Sequence, residues 1–290
     1  SDKGKIAGLQ LLGERKSFAN LNIVLEQINS DSPLVKETAY HTLKDIVLAK
    51  DFTTVCNMLE KAAPAETAPL QRAAAASLID YPQDKQLETI YTRMNGMAAN
   101  KQYFYYPVLG ATGTQQALET IAERFVSETG KGKDIAFQAL IDWKGIEAAE
   151  YLYAVFKNAS AITYFDRALA KYIELVSSAG LTGENLRLRL TQALGIAQTT
   201  AQKNRILTLL GHTNTYLGML LAGQYLNEIE LQQAAGLTVM NIALNNKDYT
   251  GRNVEELLNK VIEILDNPDA DYQRQAIRKH LAEIPKEEGF

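Results

Sequence analysis

The chain has 290 residues, a formal net charge of −4, and 46% hydrophobic and 22% charged residues, which suits a folded, water-soluble protein. The negative charge argues against a dedicated nucleic-acid-binding protein, and no uninterrupted apolar run approaches the ~20 residues of a membrane-spanning helix. The single cysteine excludes an internal disulfide, and only seven prolines with many Ala, Leu, Gln and Glu residues favour helix.

Helical patterns begin at the start of the chain, and Leu12-Gly13 has the composition of a turn between two helices. Cys56 follows in the segment FTTVCNML, on the apolar face of a predicted helix. Burial as a small hydrophobic residue is the favoured interpretation of this cysteine. A reactive thiol requires a basic neighbourhood, which the segment lacks.

Three similar units follow, clearest over residues 72–164, and their equivalent positions lie 31 residues apart. Each unit predicts a helix, a turn of small or turn-forming residues, and a second helix. The equivalent apolar positions form four sets: Leu78, Leu109 and Leu140; Leu87, Leu118 and Ala149; Ile90, Ile121 and Leu152; and Met94, Phe125 and Phe156.

The second helices carry the apolar stripe of an amphipathic helix. The clearest stripe has apolar residues at i, i+3, i+4, i+7 and i+8, namely Leu118, Ile121, Ala122, Phe125 and Val126. A similar stripe starts at Val254, where Asn253 is predicted to cap the helix with Glu256 as its capping-box partner. No segment alternates apolar and polar residues for long enough to predict a strand.

The sequence GKGKD at residues 130–134 resembles part of a phosphate-binding loop. It lacks the Gly five residues before the Gly-Lys pair and the Ser or Thr after it, so it predicts a turn between helices instead. Long helices are predicted at residues 161–178 and 228–245, with an inter-helix turn at Leu210-Gly211.

Outside the clearest units, about 35 residues per helix pair leave room for roughly eight pairs. We therefore predict an all-α fold in which residues 1–290 form one continuous α-solenoid of stacked antiparallel helix pairs. A helix pair cannot bury its apolar stripe alone, so neighbouring pairs share one elongated core.

The repeat units resemble a known family. Arg72-Ala73-Ala74 with Leu78 is similar to the arginine–alanine–leucine pattern in the inner helix of HEAT-type repeats, and the similarity is best over residues 72–156. This resemblance implies an armadillo-like superhelix of helix pairs. It says little about function, because the motif is degenerate.

The C-terminal sequence IRKHLAEIPKEEGF carries a second resemblance. It resembles the junction in secreted bacterial proteins where helical repeats precede a jelly-roll domain of the 3-keto-disaccharide hydrolase family. That domain typically opens with Gly-Phe, and the present chain stops at Gly289-Phe290. The resemblance implies the helical part of a larger glycosyl hydrolase-like enzyme whose catalytic domain lies beyond residue 290.

No catalytic, cofactor-binding or metal-binding residues are predicted. His41, His212 and His280 lie far apart without the spacing of metal ligands. The acidic pairs at residues 255–256 and 287–288 are adjacent in sequence, whereas glycoside hydrolysis requires two carboxylates that face each other. No serine lies in a Gly-x-Ser-x-Gly elbow, although a triad of distant residues is not excluded by spacing.

Four consecutive aromatic residues, Tyr103 to Tyr106, cannot all point into the core of one helix, because successive residues are turned by about 100°. The repeat register predicts that Phe104 and Tyr106 are core residues. It places Tyr105 at a position that holds alanine in the other two units. Pro107 predicts that the helix begins near Lys101 or is kinked.

Tyr103 aligns with two charged residues and is therefore predicted to face solvent. We expect Tyr103, Arg72, Asp134 and Arg167 to contribute to a groove on the inner helices that binds a protein segment or a sugar chain. The alternative is that Tyr103 only covers a neighbouring turn.

The leading functional expectation is a non-catalytic scaffold, periplasmic or secreted, without a cofactor. It would bind a protein partner, a carbohydrate or the adjoining C-terminal domain, and no nucleic acid. Two alternatives stay open: a sugar-acting enzyme with carboxylates in the groove, and a cytoplasmic adaptor of protein complexes.

Overall fold

The computed structural model describes residues 1–158 and 162–283. These residues form α-helices and short 3₁₀ segments joined by brief connections, and no strand occurs among them. The predicted all-α class is confirmed. None of the helices in the described ranges combines the length and the apolar character that crossing a membrane requires.

By its internal contacts the chain divides into two compact units, residues 1–144 and 145–290. The expectation of one continuous domain stays a prediction, because a repeat array makes contacts only between neighbours and is divided at almost any point. The helices of the first unit are α1 Asp2–Glu14, α2 Leu21–Gln27, α3 Pro33–Ile46, α4 Phe52–Leu59, α5 Pro64–Ser77, α6 Gln83–Asn95, α7 Tyr106–Ala111, α8 Gln115–Ser127 and α9 Gly130–Ile141.

Within the first unit, each odd-numbered helix packs against the next: α1 on α3, α3 on α5, α5 on α7 and α7 on α9. We call these five helices the odd-helix layer. The even-numbered helices pack against the members of this layer, α2 on α3, α4 on α5, α6 on α7, and α8 on both α7 and α9. A 3₁₀ segment, Ala99–Tyr105, leads into α7 and contacts α5, α6 and α9.

The helices described in the second unit are α10 Ala148–Lys157, α11 Ile162–Ser178, α12 Gly183–Leu194, α13 Thr200–Leu210, α14 Tyr216–Gly223, α15 Gln232–Asn245, α16 Arg252–Ile264 and α17 Ala270–Glu283. Here α13 packs on α15, and α15 packs on α17. Side-chain hydrogen bonds join positions 31 residues apart, from Thr238 Oγ1 to the Leu207 carbonyl and from Gln233 Nε2 to the Ile264 carbonyl.

The predicted register of the core is confirmed. All six helices predicted between residues 72 and 156 are present, as α5 to α10. Three of the four sets of equivalent apolar residues at 31-residue spacing are buried, since none of their members is more than 6% exposed. In the remaining set Leu118 and Ala149 are buried, whereas Leu87 is half-buried. The 31-residue period in the sequence therefore reports which helix positions face the interior.

In the aromatic run, Phe104, Tyr105 and Tyr106 are buried and Tyr103 is half-buried. The core prediction is confirmed for Phe104 and Tyr106, and the solvent-facing prediction for Tyr103 is only partly correct. The α-helix starts at Tyr106, later than predicted, with Pro107 in its first turn. A proline is tolerated there because the N–H it lacks has no partner within the helix.

Most corrections concern helix ends. Val126 is 78% exposed, because it follows Phe125 in the last turn of α8 and is turned about 100° from that buried side chain. Asn253 lies inside α16 and does not cap it. The N-cap is Gly251 at a φ of 95°, and Glu256 instead pairs with Arg252 at 2.7 Å.

Three further boundaries differ from the prediction. Leu12-Gly13 lies within α1, which continues to Glu14, and the helix predicted at residues 228–245 starts at Gln232 after a turn. Residues 131–134 form the first turn of α9 rather than a connection between helices. Gly130 does adopt the positive φ expected of a turn glycine, 54°.

Candidate interaction surface

Three of the four predicted site residues lie in the first unit, at 31-residue spacing and on three different elements. Arg72 is exposed on α5, Tyr103 is half-buried in the 3₁₀ segment, and Asp134 is exposed on α9. The fourth, Arg167, is exposed on α11 in the second unit. Arg72, Tyr103 and Asp134 are therefore the predicted site residues whose mutual arrangement can be described within one unit.

A fourth residue of the same series was missed by the sequence reasoning. His41 lies 31 residues before Arg72, is exposed on α3, and its Nδ1 is 3.3 Å from Arg72 Nη2. The signal that identifies it is the same 31-residue spacing, extended by one unit towards the N-terminus. We call His41, Arg72, Tyr103 and Asp134 the 31-residue row.

Buried neighbours in the chain hold the row in place. Gln71 is buried beside Arg72, and its Nε2 donates a 2.9 Å hydrogen bond to the carbonyl of Phe104, the neighbour of Tyr103. This bond ties α5 to the 3₁₀ segment. Because both partners are buried, the exposed Arg72 and the half-buried Tyr103 next to them project from a fixed backbone.

The ring of Tyr103 is oriented by two contacts. The ring of Phe104 packs edge-on against it, with centroids 4.9 Å apart and an interplanar angle of 80°. Lys131 of α9 places its Nζ 5.4 Å from the centroid of the tyrosine ring. Such a cation–π contact is worth about 0.5–1 kcal/mol at an exposed site, so it orders both side chains without burying them.

Arg72 and Lys131 have no carboxylate partner in the described residues. Within the described residues, the side chain of Arg72 makes its one hydrogen-bonding contact with the imidazole of His41. The ammonium of Lys131 makes a cation–π contact with the ring of Tyr103 and no hydrogen bond. Nearby carboxylates are used differently: Glu37 Oε1 lies 4.0 Å from His41 Nε2, and Glu66 pairs with Lys36 at 3.0 Å. Arg72 and Lys131 therefore keep their capacity for an external anion.

An open groove of about 680 Å³ lies beside the start of the row, between α1 and α3. Its walls include His41 together with both acidic and basic groups, namely Glu14, Lys16, Glu37, Lys44 and Asp45. Gln10, at the row position of α1, also lines it. The groove is open to solvent, and its lining carries charges of both signs.

Residues 1–158 and 162–283 contain no group of three His, Cys, Asp or Glu side chains that could hold a metal ion. Cys56 is buried, as predicted, and burial raises the pKa of its thiol to about 11. At neutral pH the thiol is therefore protonated and a poor nucleophile.

The cysteine borders a polar network that explains the burial of Tyr105. The Tyr105 hydroxyl donates to Glu60 Oε1 at 2.5 Å, and Arg93 Nη1 donates to the same oxygen at 2.8 Å and to Asn57 Oδ1 at 3.0 Å. Burial, followed by the neighbouring Cys56 and Glu60, raises the pKa of Tyr105 far above its usual range. The network joins α4, α6 and the 3₁₀ segment, which is a structural role.

Comparison with known proteins adds no family. No family model and no curated protein matches the chain. Among solved structures, a chain described under the computational design of self-assembling cyclic protein homooligomers aligns over 98% of this chain and 97% of its own length, at 15% identity and a TM-score of 0.14. At that TM-score the two backbones do not superpose, and the match carries no argument.

Proposed function

We propose that the chain is a non-catalytic interaction scaffold in which antiparallel helix pairs stack as a HEAT-like α-solenoid. Sequential packing of α1, α3, α5, α7 and α9 supports this arrangement in the first unit. Hydrogen bonds between positions 31 residues apart support it in the second unit. Stacked repeats of this kind present one side chain per repeat along a single face.

The observation that carries the functional proposal is the contact between Arg72 and His41, 3.3 Å apart and at equivalent repeat positions. It brings together exposed side chains of two neighbouring helices of the odd-helix layer, α3 and α5. We propose that the row continues through Tyr103 and Asp134, and that it suits an elongated partner that touches several repeats at once. Arg167 joins this proposal only through its sequence, since it lies in the other unit.

The wider context is proposed on the C-terminal resemblance alone. Residues 284–290, which include Glu287, Glu288 and the Gly-Phe end, lie outside the described residues. We propose that the scaffold belongs to a larger periplasmic or secreted glycoside-processing protein and presents a partner to its catalytic domain. The sequence of the full reading frame tests this point: an export signal before residue 1 and a jelly-roll sequence after residue 290 are expected.

Peptide display tests the scaffold function. Random peptides are selected on the wild-type chain and on the double variant Arg72→Glu/Lys131→Glu, which reverses the two cations of the surface. The matched control, Lys61→Glu/Lys85→Glu, makes the same charge change at exposed lysines after α4 and in α6. We expect peptides that bind the wild type and the control but not the row variant. Equal enrichment on all three chains, or none on any, contradicts the proposal.

A further inference from the structure

We propose that the second half of α17, residues 275–283, is an acid-sensitive latch, in which a proton taken up by His280 releases this half of the helix from α15 and α16. The latch belongs to the second unit, whereas the 31-residue row belongs to the first. Its action therefore does not depend on the proposed scaffold function.

The packed face of α17 carries Ala270, Ile277 and His280 as its buried side chains. Spacings of seven and three residues place these side chains on one side of the helix, and α17 packs against α15 and α16. A stripe of this kind normally consists of apolar residues, because it faces the core. His280 thus places a titratable group where packing favours an apolar side chain.

The imidazole of His280 is packed in a way that suits its neutral form. The residue is 7% exposed, and its Nε2 has no hydrogen-bond partner in the described residues. A protonated imidazole donates through both ring nitrogens, so a proton taken up in place would leave a charged donor buried and unsatisfied. The proton is therefore bound more readily when the packed face opens and the ring reaches water.

The charges nearest the imidazole act in opposite directions. Burial is the largest influence on the pKa of His280 and lowers it, while Glu283 on the same helix raises the pKa and Lys247, just after α15, lowers it. Glu283 also lies 3.9 Å from Lys279, which reduces its effect on a charged imidazole. The cost of burying the charge is therefore not offset by a neighbouring carboxylate.

The helices against which α17 packs add no compensating charge. No titratable side chain occurs in α15. The charged side chains of α16 form two ion pairs along their own helix and one half-buried carboxylate, namely Arg252 with Glu256 at 2.7 Å, Lys260 with Glu263 at 3.5 Å, and Glu255. Protonation of His280 is consequently coupled to opening of the face.

The first half of α17 is anchored separately by Arg274. Its Nε donates to the Ile262 carbonyl at 3.0 Å, and its guanidinium also donates to the Leu265 carbonyl and, at 2.9 Å, to Asp271. These bonds tie the start of the helix to the end of α16 and involve no imidazole. Beyond Arg274 the buried side chains are Ile277 and His280 alone, so release is confined to residues 275–283.

The direction of the pH effect follows from linkage. Burial holds the pKa of His280 in the packed helix below the ordinary value of about 6.5 that the open form has. The open form therefore binds more protons, and the latch is closed above pH 6.5 and opens as the pH falls below it. A single group with an open-state pKa of about 6.5 shifts the opening equilibrium by at most about tenfold at pH 5.5.

Hydrogen exchange followed by mass spectrometry tests the latch in the full chain. Protection factors, corrected for the pH dependence of intrinsic exchange, are measured at pH 7.5 and pH 5.5. We expect the protection of residues 275–283 to fall about three- to tenfold at the lower pH. Residues 183–194, which form α12 in the same unit, should keep their protection. Equal protection of residues 275–283 at both pH values, or an equal fall in both helices, overturns the inference.

Two substitutions assign the effect to the imidazole. His280→Gln removes the proton acceptor and keeps a polar side chain, and His280→Leu keeps the packing apolar in case glutamine alone loosens the helix. We expect His280→Leu to give the same protection of residues 275–283 at both pH values. His212→Gln, at an exposed histidine of the same unit, is the matched control and should retain the wild-type fall. A fall that persists in His280→Leu, or one that His212→Gln abolishes, contradicts the latch.

Discussion

Arg72 Nη2 lies 3.3 Å from His41 Nδ1, although the two residues are 31 positions apart in the chain and lie on different helices, α5 and α3. Both side chains are exposed, and the His41 side chain retains 53% of its accessible surface. Water competes with an exposed contact of this kind, so it contributes little to folding. Arg72 and His41 are consequently expected to be replaceable without loss of the fold.

The first prediction separates binding from stability at two arginines. We expect Arg72→Ala to change the free energy of unfolding by less than about 0.5 kcal/mol, as for an ordinary surface substitution. Arg93→Ala should cost about 2–3 kcal/mol, because it removes a charged donor from the partly buried carboxylate oxygen of Glu60. Urea unfolding of both variants measures the difference. Equal losses would show that Arg72 is part of the folded framework.

The second prediction compares two neighbouring tyrosines. Tyr105→Phe removes the hydroxyl that donates to Glu60 Oε1 and should destabilise the fold by about 1–3 kcal/mol. Tyr103→Phe is the matched control, because its hydroxyl makes no hydrogen bond within the described residues, and it should be neutral. Thermal unfolding followed by circular dichroism measures both. A neutral Tyr105→Phe would mean that the Glu60 network does not hold α4 to the 3₁₀ segment.

The sequence predicts which apolar residues are buried in this region, but not the hydrogen-bond partners of the buried tyrosine. The 31-residue period identified the buried set because the same stacking contact recurs in every unit, so Ile90, Ile121 and Leu152 are all fully buried. The polar partner of Tyr105 was not predictable, because Glu60 lies 45 residues away, at the C-terminal end of α4. A single-sequence pattern carries no information about such a non-repeated pairing.

Helix ends and the first member of the row were missed for related reasons. The N-cap of α16 is Gly251, whose positive φ starts the helix two residues before Asn253. The sequence pattern had favoured Asn253 because its side chain is a common helix cap. His41 was not assigned to the row because the repeat resemblance is strongest after residue 72, and only the Arg72 contact shows that the register continues into α3. The sequence around His41 matches the repeat pattern poorly, although His41 contacts Arg72 in the structure.

The third prediction concerns a close approach at the start of α9. A Cβ atom at position 132 would collide with Glu128 Oε2, the carboxylate that accepts a hydrogen bond from the buried Tyr106 hydroxyl. Gly132→Ala should therefore displace Glu128 and cost about 1–2 kcal/mol, despite a gain in helix propensity of up to about 1 kcal/mol.

The control for this substitution is Gly8→Ala in α1, where a Cβ meets nothing within 4 Å. We expect Gly8→Ala to stabilise the chain by up to about 1 kcal/mol, the propensity gain alone. Chemical denaturation of both variants gives the comparison. If both substitutions stabilise to the same extent, the Glu128 carboxylate is not held above Gly132.

The fourth prediction uses Cys56 as a reporter of opening. The thiol is fully buried, and burial raises its pKa to about 11, so it should resist a thiol-specific reagent at pH 8 in the native protein. Labelling should become fast in denaturant, and its rate in the native state should follow the opening equilibrium of the helices around it. Rapid labelling of the native chain at the rate of a free thiol would contradict the burial.

The final prediction is a pH dependence of stability that arises at His280. This residue is 7% exposed in α17, and its Nε2 has no hydrogen-bond partner in the described residues. Burial lowers the pKa of His280, an effect that Lys247 reinforces and Glu283 opposes. Because the folded pKa lies below the unfolded value of about 6.5, the unfolded state binds more protons between the two values. Stability should be complete above pH 6.5 and fall as the pH drops towards the folded pKa.

Substitution identifies the residue responsible for that slope. His280→Gln removes the titrating group and should reduce the loss of unfolding free energy between pH 7.5 and pH 5.5 relative to the wild type. His212→Gln, at an exposed histidine of the same unit, should leave the slope unchanged. Urea unfolding at each pH supplies the free energies. A slope that persists in His280→Gln and disappears in His212→Gln would assign the pH dependence to His212, just after α13, and would contradict this prediction.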